Sequence, residues 1–120
     1  MPDSENVRTG GFARYEHIKK PLEFRTLFKK GMRTGVTGAK LFWAANDFGY
    51  NRIAFPLPRG YGTAVERNRS KRLSREAYRL LKSHLNTGFD ILFLVYPGND
   101  SFHSRCEQLR KLCEKAGLLQ

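Results

Sequence analysis

The feature that most constrains this chain is an uninterrupted stretch, Thr63–Ser83, that contains neither glycine nor proline. Its leucine and alanine residues recur at helical spacing, and Thr63 is of the type that caps a helix N-terminus. The stretch therefore predicts one long helix. Its expected core face consists of Leu73, Ala77, Leu80 and Leu81. With 120 residues, of which 40% are hydrophobic, the chain is expected to form a single domain around this helix.

Shorter patterns predict three elements before the long helix. Pro21–Gly31 has proline at a helix start, glycine at its end and an apolar face of Phe24, Leu27 and Phe28. The segments 40–45 and 52–57 alternate as strands do, and we expect them to pair antiparallel.

Two further elements follow the long helix. Residues 89–96 are apolar on both faces, as in a strand inside a sheet, and the strand, helix and strand together suggest a parallel pairing. A last helix is predicted up to Gly117. Its expected apolar stripe consists of Phe102, Cys106, Leu109, Cys113 and Ala116.

The predicted fold class is α+β. A further strand in 31–38 or 59–62 would change the order α-β-β-α-β-α to α-β-β-β-α-β-α, and both orders stay open at this point. Residues 1–14 are polar and lack periodicity, so we expect a flexible N-terminal extension before a domain of residues 15–120.

The formal net charge is +11 at pH 7 and the sequence pI is about 10.1, which favours a polyanionic partner. Residues 64–82 contain seven basic and two acidic residues, a net +5 on one helix. Asn68, Arg72, Arg75 and Arg79 fall on one helical face. Arg67 and Arg69 lie near the helix N-terminus, where backbone N–H groups also favour phosphate. We therefore predict that this helix binds nucleic acid.

Other kinds of site find little support. The three histidines are far apart and none has metal-ligand spacing, so no metal site formed by the protein is expected. The chain lacks Walker A, G-x-G-x-x-G and G-x-S-x-G motifs. Cys106 and Cys113 would lie about 10.5 Å apart along a helix, too far for a disulfide, and are expected to be small core residues. No membrane span or signal peptide is visible, so we expect a cytoplasmic protein.

Several of these residues carry a resemblance to the protein subunit of bacterial ribonuclease P. The matching segments span about residues 15 to 118 and are Lys19-Lys20, Glu23-Phe24, Leu27-Phe28, Gly31, Arg52-Ile53, 62–65, 67–79 and 90–92. The resemblance implies an α-β-β-β-α-β-α order, with the basic helix in a β-α-β crossover of a mixed sheet. It also implies an accessory subunit of an endonuclease that removes the 5′ leader of precursor tRNA. The RNA subunit would perform the hydrolysis, with Mg²⁺ bound mainly by RNA.

The resemblance also assigns residues. Carried over by position, the residues expected to bind the catalytic RNA are Arg67, Asn68, Arg69, Lys71, Arg72 and Arg75. Arg79 is added to them because it falls on the same helical face. Phe24 and Phe28 match aromatic residues of the family's leader-binding cleft and are expected to bind the leader of precursor tRNA. We expect the cations Lys19, Lys20 and Arg59 to follow the phosphates of the leader beside them. The expected floor of the leader cleft is Phe42, Ala44, Ala54 and Pro56. Core packing is the alternative for the two phenylalanines.

The chain departs from the family at three places. Pro58-Arg59-Gly60 stands where the family usually has Ser-Lys-Lys, which loses a hydroxyl and an amine. His17 aligns with a common arginine, which weakens a phosphate contact. Ser70 replaces an aliphatic residue, which thins the core face of the helix.

Two other functions are compatible with a basic α+β domain. One is a ribosomal or other structural RNA-binding protein. The other is a DNA-binding protein that inserts the helix into a major groove, which the absence of helix-turn-helix spacing and of a dimer seam disfavours. Nothing in the sequence indicates a protein partner or a membrane.

Overall fold

The structure is a computed structural model that describes residues 14–98 and 100–120. Its helices are α1 (Pro21–Lys30), α2 (Ala64–Leu81) and α3 (Phe102–Ala116), and its strands are β1 (Met32–Val36), β2 (Ala39–Ala45), β3 (Arg52–Ala54) and β4 (Phe89–Val95). Of the two orders left open by the sequence, α-β-β-β-α-β-α is therefore the observed one. Residues 1–13 of the expected N-terminal extension lie outside the described residues.

The four strands form one mixed sheet in the order β1-β2-β4-β3. Strands β3 and β4 pair in parallel and α2 connects them, so the predicted β-α-β crossover is confirmed. The predicted pairing of β2 with β3 is wrong, because β4 lies between them and pairs with both. A strand that is apolar on both faces is best covered at the centre of a sheet, and β4 contains the buried residues Ile91, Leu92 and Phe93.

Strand β3 is shorter than predicted. It ends at Ala54, whereas the alternating pattern continues to Leu57. Pro56 has no backbone N–H to donate to a ladder, and this explains why regular pairing stops before it.

Each face of the sheet has its own hydrophobic core. On one face α2 and α3 cover a large core that includes Leu41, Trp43 and Phe93. On the other face α1 covers a smaller cluster of Ile18, Leu27, Phe42, Ala54 and Leu92. The chain just before α1 joins the sheet, since His17 pairs in parallel with Ile53 and the Ile18 N–H donates to the Ile53 carbonyl at 3.1 Å.

Helix α1 is held to the sheet by charge as well as by packing. The Arg52 guanidinium lies 2.7 Å from Asp90 Oδ2 and 3.1 Å from Glu23 Oε2, so one side chain links β3, β4 and α1. Gly31 follows the helix where a Cβ would lie 2.6 Å from the Leu27 carbonyl oxygen. Space therefore requires glycine at the predicted end of α1.

Helix α2 begins with a capping box. The Thr63 hydroxyl accepts from the Glu66 N–H at 3.1 Å, and the Glu66 carboxylate accepts from the Thr63 N–H at 2.9 Å. The predicted N-cap at Thr63 is confirmed.

The core face of α2 differs from the prediction. Its buried residues are Ser70, Ser74, Ala77 and Tyr78, whereas Leu80 is 53% exposed. Leu73 and Leu81 are half-buried. The face is rotated because the two serines meet a buried polar partner on α3, Arg105, described below.

Helix α3 ends at Gly117, which adopts the left-handed conformation with φ 75° and confirms the predicted end. Its buried residues are Arg105, Leu109, Leu112 and Cys113. Of the predicted stripe, Phe102 is exposed and Cys106 and Ala116 are half-buried. Both cysteines are free, and burial raises the pKa of Cys113 to about 12, as expected for a thiol that only packs.

Candidate RNA-binding site

The outer face of α2 is a row of polar and cationic side chains on a rigid helix. Six of the seven predicted RNA-binding residues are exposed, and Arg79 is half-buried. The exposed six are Arg67, Asn68, Arg69, Lys71, Arg72 and Arg75. We call these six residues and Arg79 the α2 face. Guanidinium groups held this way suit phosphate, because their planar fork accommodates two oxygens at once.

Two arginines of the α2 face are already engaged within the protein. Arg67 Nη1 donates to the Gly62 carbonyl oxygen at 2.8 Å, and Arg79 Nη2 lies 2.8 Å from the carboxylate of Glu76. By contrast, Arg69, Lys71, Arg72 and Arg75 make no ion pair with any of the residues that the structure describes. Their charges are available to an external anion.

The helix N-terminus is a weaker phosphate site than the sequence suggested. The Glu66 N–H donates to Thr63, and the Glu66 carboxylate lies in the first turn, where it repels anions. The capping box therefore takes up one backbone N–H and adds a negative charge, and both weaken phosphate binding by the backbone at this end.

A groove runs between α2 and the segment that precedes α1. Lys71 and Arg75 of α2 line one part of it, and His17, Lys19 and Phe24 line another. Ala54, Phe55 and Pro56 lie along β3 and its extension. We call it the His17 groove. Two cations of the α2 face thus also border an aromatic ring.

His17 lies in a positive environment. Burial lowers the pKa of His17 below its usual value, and the nearby charges of Lys19 and Arg75 lower it further against the opposing effect of Glu16. The imidazole of the unbound protein is therefore mainly neutral near pH 7. An anion in the groove would favour its protonated form.

The two aromatic residues predicted to bind the leader are separated by the structure. Phe24 lines the His17 groove, whereas Phe28 borders a second depression with Arg25, Lys29 and Lys30. Both rings are half-buried and pack against the small core beneath α1. Phe28 meets Phe42 edge-on with ring centroids 4.8 Å apart. Each ring therefore combines packing with a partly open surface.

The remaining predicted leader residues are exposed, and one of them lines the His17 groove. Lys19 and Lys20 are exposed before α1, and Lys19 lines the His17 groove. Arg59 is exposed in the loop before α2. Of the predicted floor, Ala54 and Pro56 line the His17 groove. Phe42 is buried, and Ala44 lines a separate pocket on the other flank of α1.

The described residues contain no group of three or more histidine, cysteine or acidic side chains that could hold a metal ion. Carboxylates around the site are engaged within the protein. Glu66 accepts from the Thr63 N–H, Glu76 pairs with Arg79 and Glu16 pairs with Lys82. Asp90 and Glu23 bind Arg52. These donors do not fit a protein-held Mg²⁺. No helix within the described ranges is long and apolar enough to cross a membrane.

The position of His17 beside Lys71 and Arg75 could not be predicted from the sequence, because these residues are more than fifty positions away along the chain. The sequence predicted His17 only as a weakened phosphate contact. The pairing of His17 with Ile53 brings it beside Lys71 and Arg75. A single bridge at a sheet edge leaves no periodic pattern that could have shown it.

Comparisons with known proteins agree on the family. The ribonuclease P family model matches residues 12–117. The ribonuclease P protein component of Thermoanaerobacter sp. strain X514 is 33% identical over 103 residues, covering 84% of this chain and 89% of the relative. That of Dictyoglomus turgidum is 33% identical over 113 residues, covering 91% of this chain and 95% of the relative.

Solved structures share the fold. The chain superimposes on the RNase P protein of Staphylococcus aureus with a TM-score of 0.77 at 23% identity, covering 88% of this chain and 98% of the other. For the RNase P protein of Thermotoga maritima the TM-score is 0.75 at 25% identity, with 83% and 96% covered. The family match along most of the chain, the relatives at 33% identity and the shared fold lead to one conclusion: this chain belongs to the ribonuclease P protein family.

Proposed function

We propose that this chain binds the catalytic RNA subunit of ribonuclease P through the α2 face and holds the 5′ leader of precursor tRNA in the His17 groove. It would thereby assist the endonucleolytic removal of the leader that makes mature tRNA 5′ ends. The folded unit that does this would be residues 15–120, acting in the cytoplasm. The observation that carries the proposal is that Lys71 and Arg75 belong to the α2 face and also line the groove beside Phe24.

The chemistry of the groove suits a single strand. Lys19, Lys71 and Arg75 provide cations for the backbone, and the partly open ring of Phe24 provides a stacking surface. Stacking on an aromatic ring accepts any base, as a protein that serves many different precursors requires. Lys20, Arg59 and Phe28 lie outside the groove and would contact the strand where it enters or leaves.

Hydrolysis is assigned to the RNA subunit. The α2 face and the groove present cations, Asn68, His17, aromatic rings and small apolar side chains, which would bind and position a substrate. Mg²⁺ would supply charge stabilisation and an activated water, and would be held mainly by RNA. The protein would act by lowering electrostatic repulsion between two RNAs, an effect that matters most when Mg²⁺ is scarce.

The test is cleavage of precursor tRNA by a bacterial ribonuclease P RNA at low Mg²⁺, with and without this protein. We expect the protein to accelerate cleavage and to bind precursor tRNA in the complex more tightly than mature tRNA. An Arg110→Met variant, which removes a charge from the distant surface of α3, serves as the matched control and should stimulate like the parent.

Absence of stimulation would contradict the proposal. If the protein also co-sedimented with ribosomes, and not with an RNA of ribonuclease P type, the function would be that of a ribosomal or other structural RNA-binding protein.

A further inference from the structure

A network of polar side chains is buried beneath the α2 face. Arg105 of α3 is 0% exposed. Its Nη1 donates to the Ser70 carbonyl oxygen at 2.7 Å and to Ser74 Oγ at 2.8 Å, and its Nη2 lies 2.7 Å from Asp100 Oδ1. Tyr61 Oη is 2.9 Å from both Ser70 Oγ and Asp100 Oδ1. We call these five residues the Arg105 cluster.

Stability alone does not account for this cluster. Removing a guanidinium and a carboxylate from water costs about as much as their attraction returns, and apolar residues of similar volume often stabilise as well or better. The cluster is also incompletely satisfied, because Arg105 Nε is buried without a hydrogen-bond partner among the described residues. Hydrogen bonds are directional, so they hold the elements that they join in a single relative position, which apolar contacts do not.

The elements joined are those that would meet RNA. Ser70 lies between Arg69 and Lys71 of the α2 face but points inward and is 0% exposed. Tyr61 ends the loop that contains Arg59, two residues before the α2 N-cap. Burial raises the pKa of Tyr61, so its hydroxyl stays protonated and can donate to Asp100. Through Asp100 and Arg105, both elements are tied to α3.

We propose that Arg105 is a positioning residue for RNA binding: through the Arg105 cluster it fixes the rotation and axial position of α2 and of the Arg59 loop. The cations of both elements are then presented to RNA phosphates in one arrangement. This inference rests on the proposed function, since it concerns the fit between this surface and RNA. Arg105 itself touches no RNA.

The experiment measures affinity for an in vitro transcribed ribonuclease P RNA across a salt series, together with thermal unfolding, for three proteins. Tyr61→Phe removes one hydroxyl from the cluster and keeps the ring. Arg105→Met combined with Asp100→Asn removes the buried pair without changing net charge. Arg110→Met combined with Glu107→Gln removes a pair of the same kind from the exposed side of α3 and is the matched control.

We expect the two cluster variants to lower the slope of log affinity against log salt by about 0.7 to 0.9 for each RNA phosphate that the protein no longer neutralises. Over the tenfold change from 1 M to 0.1 M salt, a slope lowered by this amount corresponds to about a five- to eightfold loss of affinity for each phosphate. The control should keep the parental slope. A purely structural role would reduce the folded fraction and leave the slope of the folded protein unchanged.

The proposal is overturned if both cluster variants stay folded and bind with the parental slope. If the double variant fails to fold, Tyr61→Phe decides alone, because deletion of one hydroxyl leaves the core packing in place. If the parent binds ribosomal RNA as tightly as ribonuclease P RNA, the proposed function is wrong. The comparison of slopes on whichever RNA binds still tests the Arg105 cluster.

Discussion

Arg75 and Arg105 lie on neighbouring helices in opposite environments. Arg75 is exposed on the outer side of α2, whereas Arg105 lies beneath the same helix with its charge paired and no accessible surface. An exposed charge is worth little to the fold and is available to a partner. A buried one cannot reach a partner, and its removal leaves other groups unsatisfied. The difference shows that the number of cations on this chain overstates the number that can bind RNA.

The largest effect on stability is expected for Arg105→Met alone. It leaves the Asp100 carboxylate without its ion-pair partner and both inner serines with unmet hydrogen bonds, so the free energy of unfolding should fall by about 3 kcal/mol. Chemical denaturation at pH 7 measures this. A loss below about 0.5 kcal/mol, as at an ordinary surface site, would remove the contrast between the two arginines.

The reverse pattern is expected when the outer arginines are removed. Arg72→Ala combined with Arg75→Ala should change the free energy of unfolding by less than about 0.5 kcal/mol. The slope of log RNA affinity against log salt should fall by about 1.4 to 1.8, because two phosphates are no longer neutralised. Filter binding across a salt series checks the slope. An unchanged slope together with a destabilised fold would contradict the assignment of this face to RNA.

The two phenylalanines of α1 provide a finer comparison. Phe24→Leu should weaken binding of precursor tRNA by about 1 kcal/mol, since the variant has no ring for a base to stack on in the groove, and leave mature tRNA unaffected. Phe28→Leu should instead act mainly on stability, because its ring packs edge-on against Phe42. If only Phe28→Leu reduced the preference for precursor tRNA, the leader would run through the depression beside Arg25.

The smallest expected effect is a proton linked to binding. Because the pKa of His17 is lowered in the unbound protein, the folded state is stabilised above the ordinary pKa of about 6.5, and this contribution is lost as the pH falls through the lowered value. RNA phosphate favours the protonated form, so affinity should rise as the pH decreases from about 7.5 to about 5.5. Titrations of the parent and of His17→Gln measure the difference. Identical pH profiles would exclude His17 from the interface.

The sequence predicted what depends on local pattern. The type of each helix and of most strands followed from periodicity, and the ends of α2 and α3 followed from Thr63 and Gly117, which act on their own turns. The exposure of Arg72 and Arg75 followed from charge density on one helical face. These features need no knowledge of what lies across the molecule.

What failed depends on distant partners. The sequence predicted Ser70 only as a gap in the core face of α2 and did not predict burial of Ser74. Serine is buried where a polar partner meets it, and for both residues that partner is Arg105, 35 and 31 positions away. The order β2-β4-β3 likewise depends on distant segments, because β4, which is apolar on both faces, lies at the centre of the sheet between two neighbouring strands. Helical spacing alone predicted that Phe24 and Phe28 share one face. They border two different depressions because the chain before α1 joins β3 beside Phe24.

The capping box at the start of α2 has a consequence for the kinetics of assembly. Because Thr63 and Glu66 close the first turn within the protein itself, the helix that carries the arginines proposed to bind RNA is formed without RNA. Encounter then requires no coil-to-helix transition, and its rate is set by electrostatic steering of a rigid cationic rod toward a polyanion. Conformational entropy is lost when the chain folds and not again when the particle assembles.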